Sequence, residues 1–292
     1  MQGVHAAIVT QFDDDLAIDH DAVAAQVDRL IGDGVEGIVA CGTMGEANSL
    51  TQGERAEVLR TAIDAAARRV PVCAGISAAS AHQAVEFAAD AQTLGADSVM
   101  CLPPLLYHPD DRELLAFFAS VGAATELPIM VYNNPGATGV DVSPALLAEI
   151  CGEVETVTAI KECSGDARRI AELLDLTDRI DVLVGGDDWA LEGCLLGAAG
   201  WVSGVVVVAP SACVRLWELG RTGQLERARR LYAELLPLAR LDMTPKLVQY
   251  FKAGMDELGL HGGPCRPPRL PLTEPELERL RSAVAAVSTT SV

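Results

Sequence analysis

Apolar, β-branched runs recur along this chain at nearly even spacing, and segments of helical periodicity lie between them. The runs are 5–10 (HAAIVT), 36–41 (EGIVAC), 71–76 (PVCAGI), 97–102 (DSVMCL), 128–132 (PIMVY), 156–160 (TVTAI), 181–185 (DVLVG) and 200–208 (GWVSGVVVV). They are apolar on both faces, as a parallel sheet covered by helices requires. Helical patterns fall at 19–32, 51–69, 80–94, 110–125, 143–151, 165–176, 187–198 and 210–220. Two of them open on capping-box spacings, Thr51 with Glu54 and Ser80 with Gln83.

Eight strand–helix units in 292 residues predict an α/β chain folded as a closed (β/α)8 TIM barrel. No Gly-x-Gly-x-x-Gly follows the first run, which argues against a doubly wound dinucleotide-binding sheet. After Gly220 the alternation stops. Residues 223–240, 243–259 and 274–287 read as helices, broken by the proline-rich segment GGPCRPPRLP at 262–271. The expected division is a barrel over 1–222 and a C-terminal helical extension over 223–292, with a short tail from Ser282 onward.

Composition removes several function classes. A net charge of −19 repels phosphate backbones and anionic lipid, so neither nucleic acid nor a membrane surface is an expected partner. The eight cysteines form no C-x-x-C pair and sit mostly in apolar runs, so they read as small buried residues of a reducing compartment. The five histidines lack metal-ligand spacing, and no metal is expected. The uncharged stretch 193–214 is long enough to span a bilayer, but Gly193, Gly197, Gly200, Gly204 and Pro210 break it. It reads as a helix end, a buried strand and a loop. No basic-then-apolar leader opens the sequence, so a cytoplasmic protein is expected.

One lysine then stands out. Only Lys161, Lys246 and Lys252 are lysines; the other 19 cations are arginines. Where positive charge alone suffices, this sequence writes arginine, which cannot serve as an amine nucleophile. Lys161 stands where the sixth run ends, and Ser164-Gly165 turn the chain toward a helix. It also has a structural reading, as a lysine that snorkels from the strand end or pairs with Glu162.

Barrel enzymes carry their chemistry at the C-terminal ends of the strands. Besides Lys161, those ends offer CGTMGE (Cys41 to Glu46), YNNPGATG (Tyr132 to Gly139) and GGDD (Gly185 to Asp188). Each has an ordinary role: a tight turn, a half-buried aromatic, a helix cap. Together they surround one mouth with a lysine, a phenol, a hydroxyl and exposed backbone N–H groups. That set suits Schiff-base chemistry on a 2-oxo acid, in which lysine attacks the carbonyl, the phenol relays protons and the glycine turn holds the carboxylate. The candidate catalytic residues are Lys161, Tyr132 and Thr43, and the candidate substrate-binding residues are Thr43, Met44, Gly186 and Asp187.

The spacing of GT-x-GE, YN-x-P-x-x-TG and IKE resembles the dihydrodipicolinate synthase / N-acetylneuraminate lyase superfamily of class I aldolases over essentially the whole chain. The resemblance implies that Lys161 forms the imine, that Tyr132 shuttles protons, and that Thr43 with the Met44 backbone binds the carboxylate. It also implies a homotetramer that needs no metal or organic cofactor. Three positions depart from the synthases. Their YN-x-P-x-R-T-G arginine, which holds a semialdehyde carboxylate, is Ala137 here; their second threonine is Met44; their relay tyrosine after the fourth strand falls at Leu106, beside Tyr107. Other segments, IKE-x-SGD-x-RR, GGDDWALEG and LDMTPKLVQYFK, resemble the 1-pyrroline-4-hydroxy-2-carboxylate deaminases, which release ammonia and 2-oxoglutarate semialdehyde. The reading is a Schiff-base lyase or deaminase acting on a small 2-oxo acid or cyclic imine acid. Its rivals are an aldolase for a sugar-acid-like substrate and a catalytically silent binding barrel. The mechanism needs a neutral amine, so Lys161 is expected to titrate below an ordinary lysine, with Glu162 pointing away from the mouth.

Overall fold

The computed structural model describes residues 1–288. Eight parallel strands close into a barrel in sequence order, and the last pairs with the first through Gly3↔Gly200 to Ala6↔Ser203. They are β1 (Gly3–Ala7), β2 (Gly37–Ala40), β3 (Val72–Ile76), β4 (Ser98–Cys101), β5 (Ile129–Asn133), β6 (Val157–Glu162), β7 (Asp181–Val184) and β8 (Gly200–Ser203). Helices α1 (His20–Gly32), α2 (Gln52–Ala66), α3 (Ala81–Leu94), α4 (Asp111–Gly122), the one-turn α5 (Pro135–Thr138), α6 (Pro144–Glu153), α7 (Arg168–Leu176), α8 (Ala190–Leu195) and α9 (Pro210–Arg221) surround it. Helices α10 (Leu225–Ala239), α11 (Leu247–Glu257) and α12 (Glu274–Ser288) form the C-terminal extension, with α10 packed on α9 and α12. This is a (β/α)8 TIM barrel with a helical extension.

The strands are buried almost throughout, as sheets covered on both faces demand. Capping fixes where several helices start. Asp19 accepts from Ala22 N at the head of α1, and Thr51 and Glu54 complete a reciprocal box at α2. The second expected box is only half made. Ser80 accepts from Gln83 N, but the Gln83 side chain accepts from Ala79 N, one residue earlier than a box requires. A box that the sequence reading missed, Asp110 with Glu113, opens α4.

The last run ends earlier than its apolar composition suggested. β8 stops at Ser203, and Val205–Val207 form a 3-10 turn. The cause is polar. The Asp187 carboxylate accepts from Gly204 N and Val205 N, and Ser203 Oγ accepts from Val206 N, so the backbone is drawn out of the sheet. The stretch 193–214 therefore divides among α8, β8, this turn and α9. Among the described residues no helix is long and apolar enough to cross a membrane. The tail expected from Ser282 is helical as far as Ser288, because Ala283, Val284 and Val287 are buried against the core; residues 289–292 lie outside the described part.

The extension is locked to the barrel by a buried ionic knot. Lys252 of α11 meets Glu46 at 2.8 Å and donates to Pro264 O at 2.7 Å. Arg266 N donates to the same Glu46, while the Arg266 guanidinium and the Lys252 ammonium face the Phe12 ring at 4.4 and 4.5 Å. Glu46 closes the turn after β2, so the extension grips one of the motifs that the sequence placed at the mouth.

Candidate active site

Lys161 and Tyr132 are cross-strand neighbours in the β5–β6 register. Along β6 the side chains alternate, so Val157, Ala159 and Lys161 share one face and Glu162 takes the other. Glu162 is buried among polar partners on the outer face, where it accepts from Asn133 Nδ2 (3.0 Å) and Ser164 N (2.6 Å). Asn133 also donates to Asp141, which Arg169 grips with two hydrogen bonds. This outer network fixes the ends of both strands and leaves Lys161 and Tyr132 on the inner face. Among the described residues, no carboxylate lies within ion-pair distance of Lys161.

The two side chains line a cavity of about 370 Å³ at the C-terminal mouth of the barrel. Lys161 is 6% exposed, and its Nζ lies 3.9 Å from the centre of the Tyr132 ring. Burial holds the amine below the ordinary lysine range, against the opposing attraction of Cys163, Asp242, Asp187 and Cys73. The direction is the one expected from sequence, but the opposing acids are not: Glu162 has turned away. Burial, with Cys163 and Asp242 nearby, pushes the Tyr132 phenol well above its usual range. Its oxygen accepts from Asn134 Nδ2 at 2.7 Å, and Cys163 lies within hydrogen-bonding reach of the same hydroxyl.

Gly185 makes room for the lysine. A Cβ there would stand 2.7 Å from Cys163 Cβ, 2.8 Å from Glu162 O and 3.0 Å from Lys161 Cε. Thr43, Met44, Gly42 and Ala137 also form part of the cavity wall. Among the described residues the Thr43 hydroxyl makes no direct hydrogen bond to Tyr132, whose oxygen is engaged by Asn134.

Gly186 and Asp187 require correction as substrate-binding candidates. Neither is on the cavity wall; of the two glycines in the GGDD segment, the one that is there is Gly185. Asp187 is fully buried; its carboxylate accepts from Trp201 Nε1, Gly204 N and Val205 N, so it braces the end of β8. Leu106, at the relay-tyrosine position, is 98% exposed, and Tyr107 donates outward to Glu113. The sequence reading missed three titratable residues of the cavity: Cys163, Asp242 and Arg269. Cys163 sits two residues beyond the lysine on the same alternation, a signal that was present. Asp242 and Arg269 come from irregular segments of the extension, where no periodicity points.

A model of the dihydrodipicolinate synthetase family matches residues 1–287. The chain belongs to that family. Similar relatives include the 4-hydroxy-tetrahydrodipicolinate synthases of Methanothrix thermoacetophila and Methanopyrus kandleri. Both are 34% identical, over 98% and 96% of this chain and 97% and 94% of theirs. Among solved structures, the 4-hydroxy-tetrahydrodipicolinate synthase of Methylacidiphilum fumariolicum superposes with a TM-score of 0.95 at 28% identity, covering 99% of this chain and 96% of that one. The chloride-inhibited dihydrodipicolinate synthase of Acinetobacter baumannii, complexed with pyruvate, superposes at 0.93 with 32% identity, covering 98% and 99%.

Membership in the dihydrodipicolinate synthetase family carries its coarse activity, a lyase of the Schiff-base aldolase type. Within this family member, no group of three His, Cys, Asp or Glu side chains among the described residues is arranged to hold a metal ion.

Proposed function

We propose that this protein is a lysine Schiff-base lyase for a small 2-oxo acid or cyclic imine acid, and that its preferred reaction is the deamination of 1-pyrroline-4-hydroxy-2-carboxylate. The observation that carries the reading is Lys161, a buried amine without an ion-pair partner among the described residues, 3.9 Å from the ring of a buried phenol in a cavity of substrate size. Thr43 and the backbone at Met44 lie on the same wall and would hold the substrate carboxylate.

The chemistry balances with these groups alone. Neutral Lys161 attacks C2 of the cyclic imine, and the C2–N bond to the ring nitrogen breaks. The ring nitrogen leaves as a primary amine on C5, and lysine is now the imine partner of C2. Tyr132 gives its proton to the departing ring nitrogen, and the phenolate so formed takes a proton from C3 to give an enamine. The enamine electron pair expels the C4 hydroxyl, which departs as water. Proton shifts then place the double bond between C5 and its nitrogen. Water hydrolyses that imine to an aldehyde and ammonia, and a second water frees the 2-oxo group from Lys161. One water is consumed in all, and ammonia and 2-oxoglutarate semialdehyde result.

Ala137 supports this choice over the condensation for which the relatives are named. A methyl group cannot supply the bidentate, charge-assisted bonds that an arginine gives a carboxylate. Aldol cleavage of a sugar-acid-like substrate to pyruvate is the second reading. The aldolase type of the family favours it, and it starts from the same imine. We further propose a homotetramer, as the family resemblance implies.

The test is a parallel assay of the purified protein. Ammonia release from the imine acid should far exceed condensation of pyruvate with aspartate semialdehyde and pyruvate release from sugar-acid substrates. Efficient condensation would overturn the reading. Light scattering should give a tetramer mass, and a monomer at micromolar concentration would contradict the assembly.

A further inference from the structure

Three charged side chains line the cavity: Lys161, Arg269 and Asp242. Lys161 has its role in the proposed reaction. Arg269 is engaged at the rim, 3.5 Å from Glu46 and 3.3 Å from Ser49 Oγ. Asp242 is the acid left over. It lies in the turn after α10, where its backbone N–H donates to Ala239 O, and that turn carries it from the extension over the end of β8. A Cβ on Gly204 would sit only 3.0 Å from Asp242 Oδ1 and 3.4 Å from Met44 Sδ, so the carboxyl reaches in beside the turn expected to hold the substrate.

We propose that Asp242 is a further catalytic residue, the acid that protonates the substrate's departing C4 hydroxyl. This rests on the Schiff-base reading above, in which loss of that hydroxyl is the step with no proton donor yet assigned. Lys161 holds C2, and Tyr132 works at C3 from the β5 side. The next carbon along the chain must be served from another wall, and Asp242 enters from the β8 side.

The surroundings suit a donor. Lys161, Tyr132, Cys163 and Asp187 all feel the charge of Asp242, which places it within electrostatic reach of the reacting end of the lysine. The groups that face it are Lys161 from β6, Asp187 with its backbone N–H, and Asp188. Burial raises its carboxyl above the ordinary range, while Lys161 and the Asp187 N–H pull it down. A carboxyl kept partly protonated near neutral pH can give a proton to a leaving oxygen, and then regain one. In the step itself, the enamine pair forms the C3–C4 double bond and the C4–O bond breaks with its electrons on oxygen. The Asp242 proton completes a water molecule, and Asp242 is left as the carboxylate.

The test separates this step from the ones before it. Pyruvate needs only the imine and the C3 proton transfer to exchange its methyl protons with deuterated water, and it has no hydroxyl to lose. Asp242→Asn should therefore keep methyl exchange, followed by NMR, and keep borohydride trapping on Lys161. Its kcat for ammonia release from 1-pyrroline-4-hydroxy-2-carboxylate should fall by about 10²–10⁴ with little change in KM, and Asp242→Glu should restore part of it. Loss of exchange in parallel with turnover would overturn the proposal, since Asp242 would then act through Lys161 or the fold. So would full turnover in Asp242→Asn, or a wild-type protein that exchanges pyruvate protons but expels no hydroxyl from the imine acid. A wild-type protein that neither exchanges nor traps would instead sink the Schiff-base reading itself.

Discussion

Two lysines of this chain are buried, and their surroundings could hardly differ more. Lys252 is 1% exposed and its charge is answered at every side: Glu46 at 2.8 Å, the Pro264 carbonyl at 2.7 Å and the Phe12 ring at 4.5 Å. Lys161 is nearly as buried, but it faces a cavity, an aromatic ring and more distant acids. Burial lowers both amines. What separates them is whether the ammonium is paired and whether a small molecule can reach it. A paired lysine in a closed knot ties two parts of a fold together. An unpaired one beside a cavity is held closer to its nucleophilic form, at a cost to the folded state.

The sharpest way to break this contrast is to ask which lysine reacts. Incubation with pyruvate and borohydride should leave a single adduct on Lys161, located by mass spectrometry. Lys161→Arg should abolish both adduct and turnover while the protein stays folded by circular dichroism, because a guanidinium cannot act as the amine. An adduct on Lys252 or Lys246 would erase the distinction.

Lys252 should reveal itself through stability instead. Lys252→Met leaves Glu46 as a buried carboxylate without its closest cation, and removal of one partner of a buried pair costs about 3–5 kcal/mol. Chemical denaturation should show a loss of that order. Lys252→Met combined with Glu46→Gln should recover much of it, since the stranded charge is then gone. The folded fraction of Lys252→Met should still trap pyruvate on Lys161. A neutral effect on stability would mean that water or Arg269 already satisfies Glu46.

How far the sequence foretold this follows the same division. Lys161 and Tyr132 were legible because strand alternation decides which face a side chain takes, and both sit at strand ends in recognisable motifs. The outward turn of Glu162 followed from the same rule. Asp187 was misjudged because it lies past the end of β7, in a 3-10 turn, where position no longer tells direction; its carboxylate went to the backbone just beyond β8. The apolar run at 200–208 hid that same event, since valines carry no sign of the polar cap that stops the strand. Lys252 lay in a segment read as a helix, and its partner Glu46 was more than 200 residues away in sequence. Nothing local announces such a pair. Asp242 and Arg269 were silent for a similar reason: the barrel rule points to strand ends, whereas these two reach the mouth from the extension.

The smallest expected effect concerns the cost of keeping Lys161 unpaired. Its folded pKa is lowered, chiefly by burial, so between that value and the ordinary lysine pKa the unfolded chain binds more protons than the native one. Native stability should therefore rise with pH across that window, and the penalty should be complete at pH values below the folded pKa. Lys161→Met removes the charge and keeps an apolar side chain of similar length. It should raise the thermal midpoint at pH 7, and the advantage over wild type should shrink as pH climbs toward the ordinary lysine range. Asp242 and Asp187 pull the other way, because both favour the ammonium and both would lose a cation in the variant. Burial is the larger influence on Lys161, so a net gain is expected. Thermal melts of the two proteins at several pH values decide the point. A lower midpoint for Lys161→Met at neutral pH would show that the acids at the mouth pair with the lysine more strongly than burial opposes it, and the contrast with Lys252 would then be one of access alone.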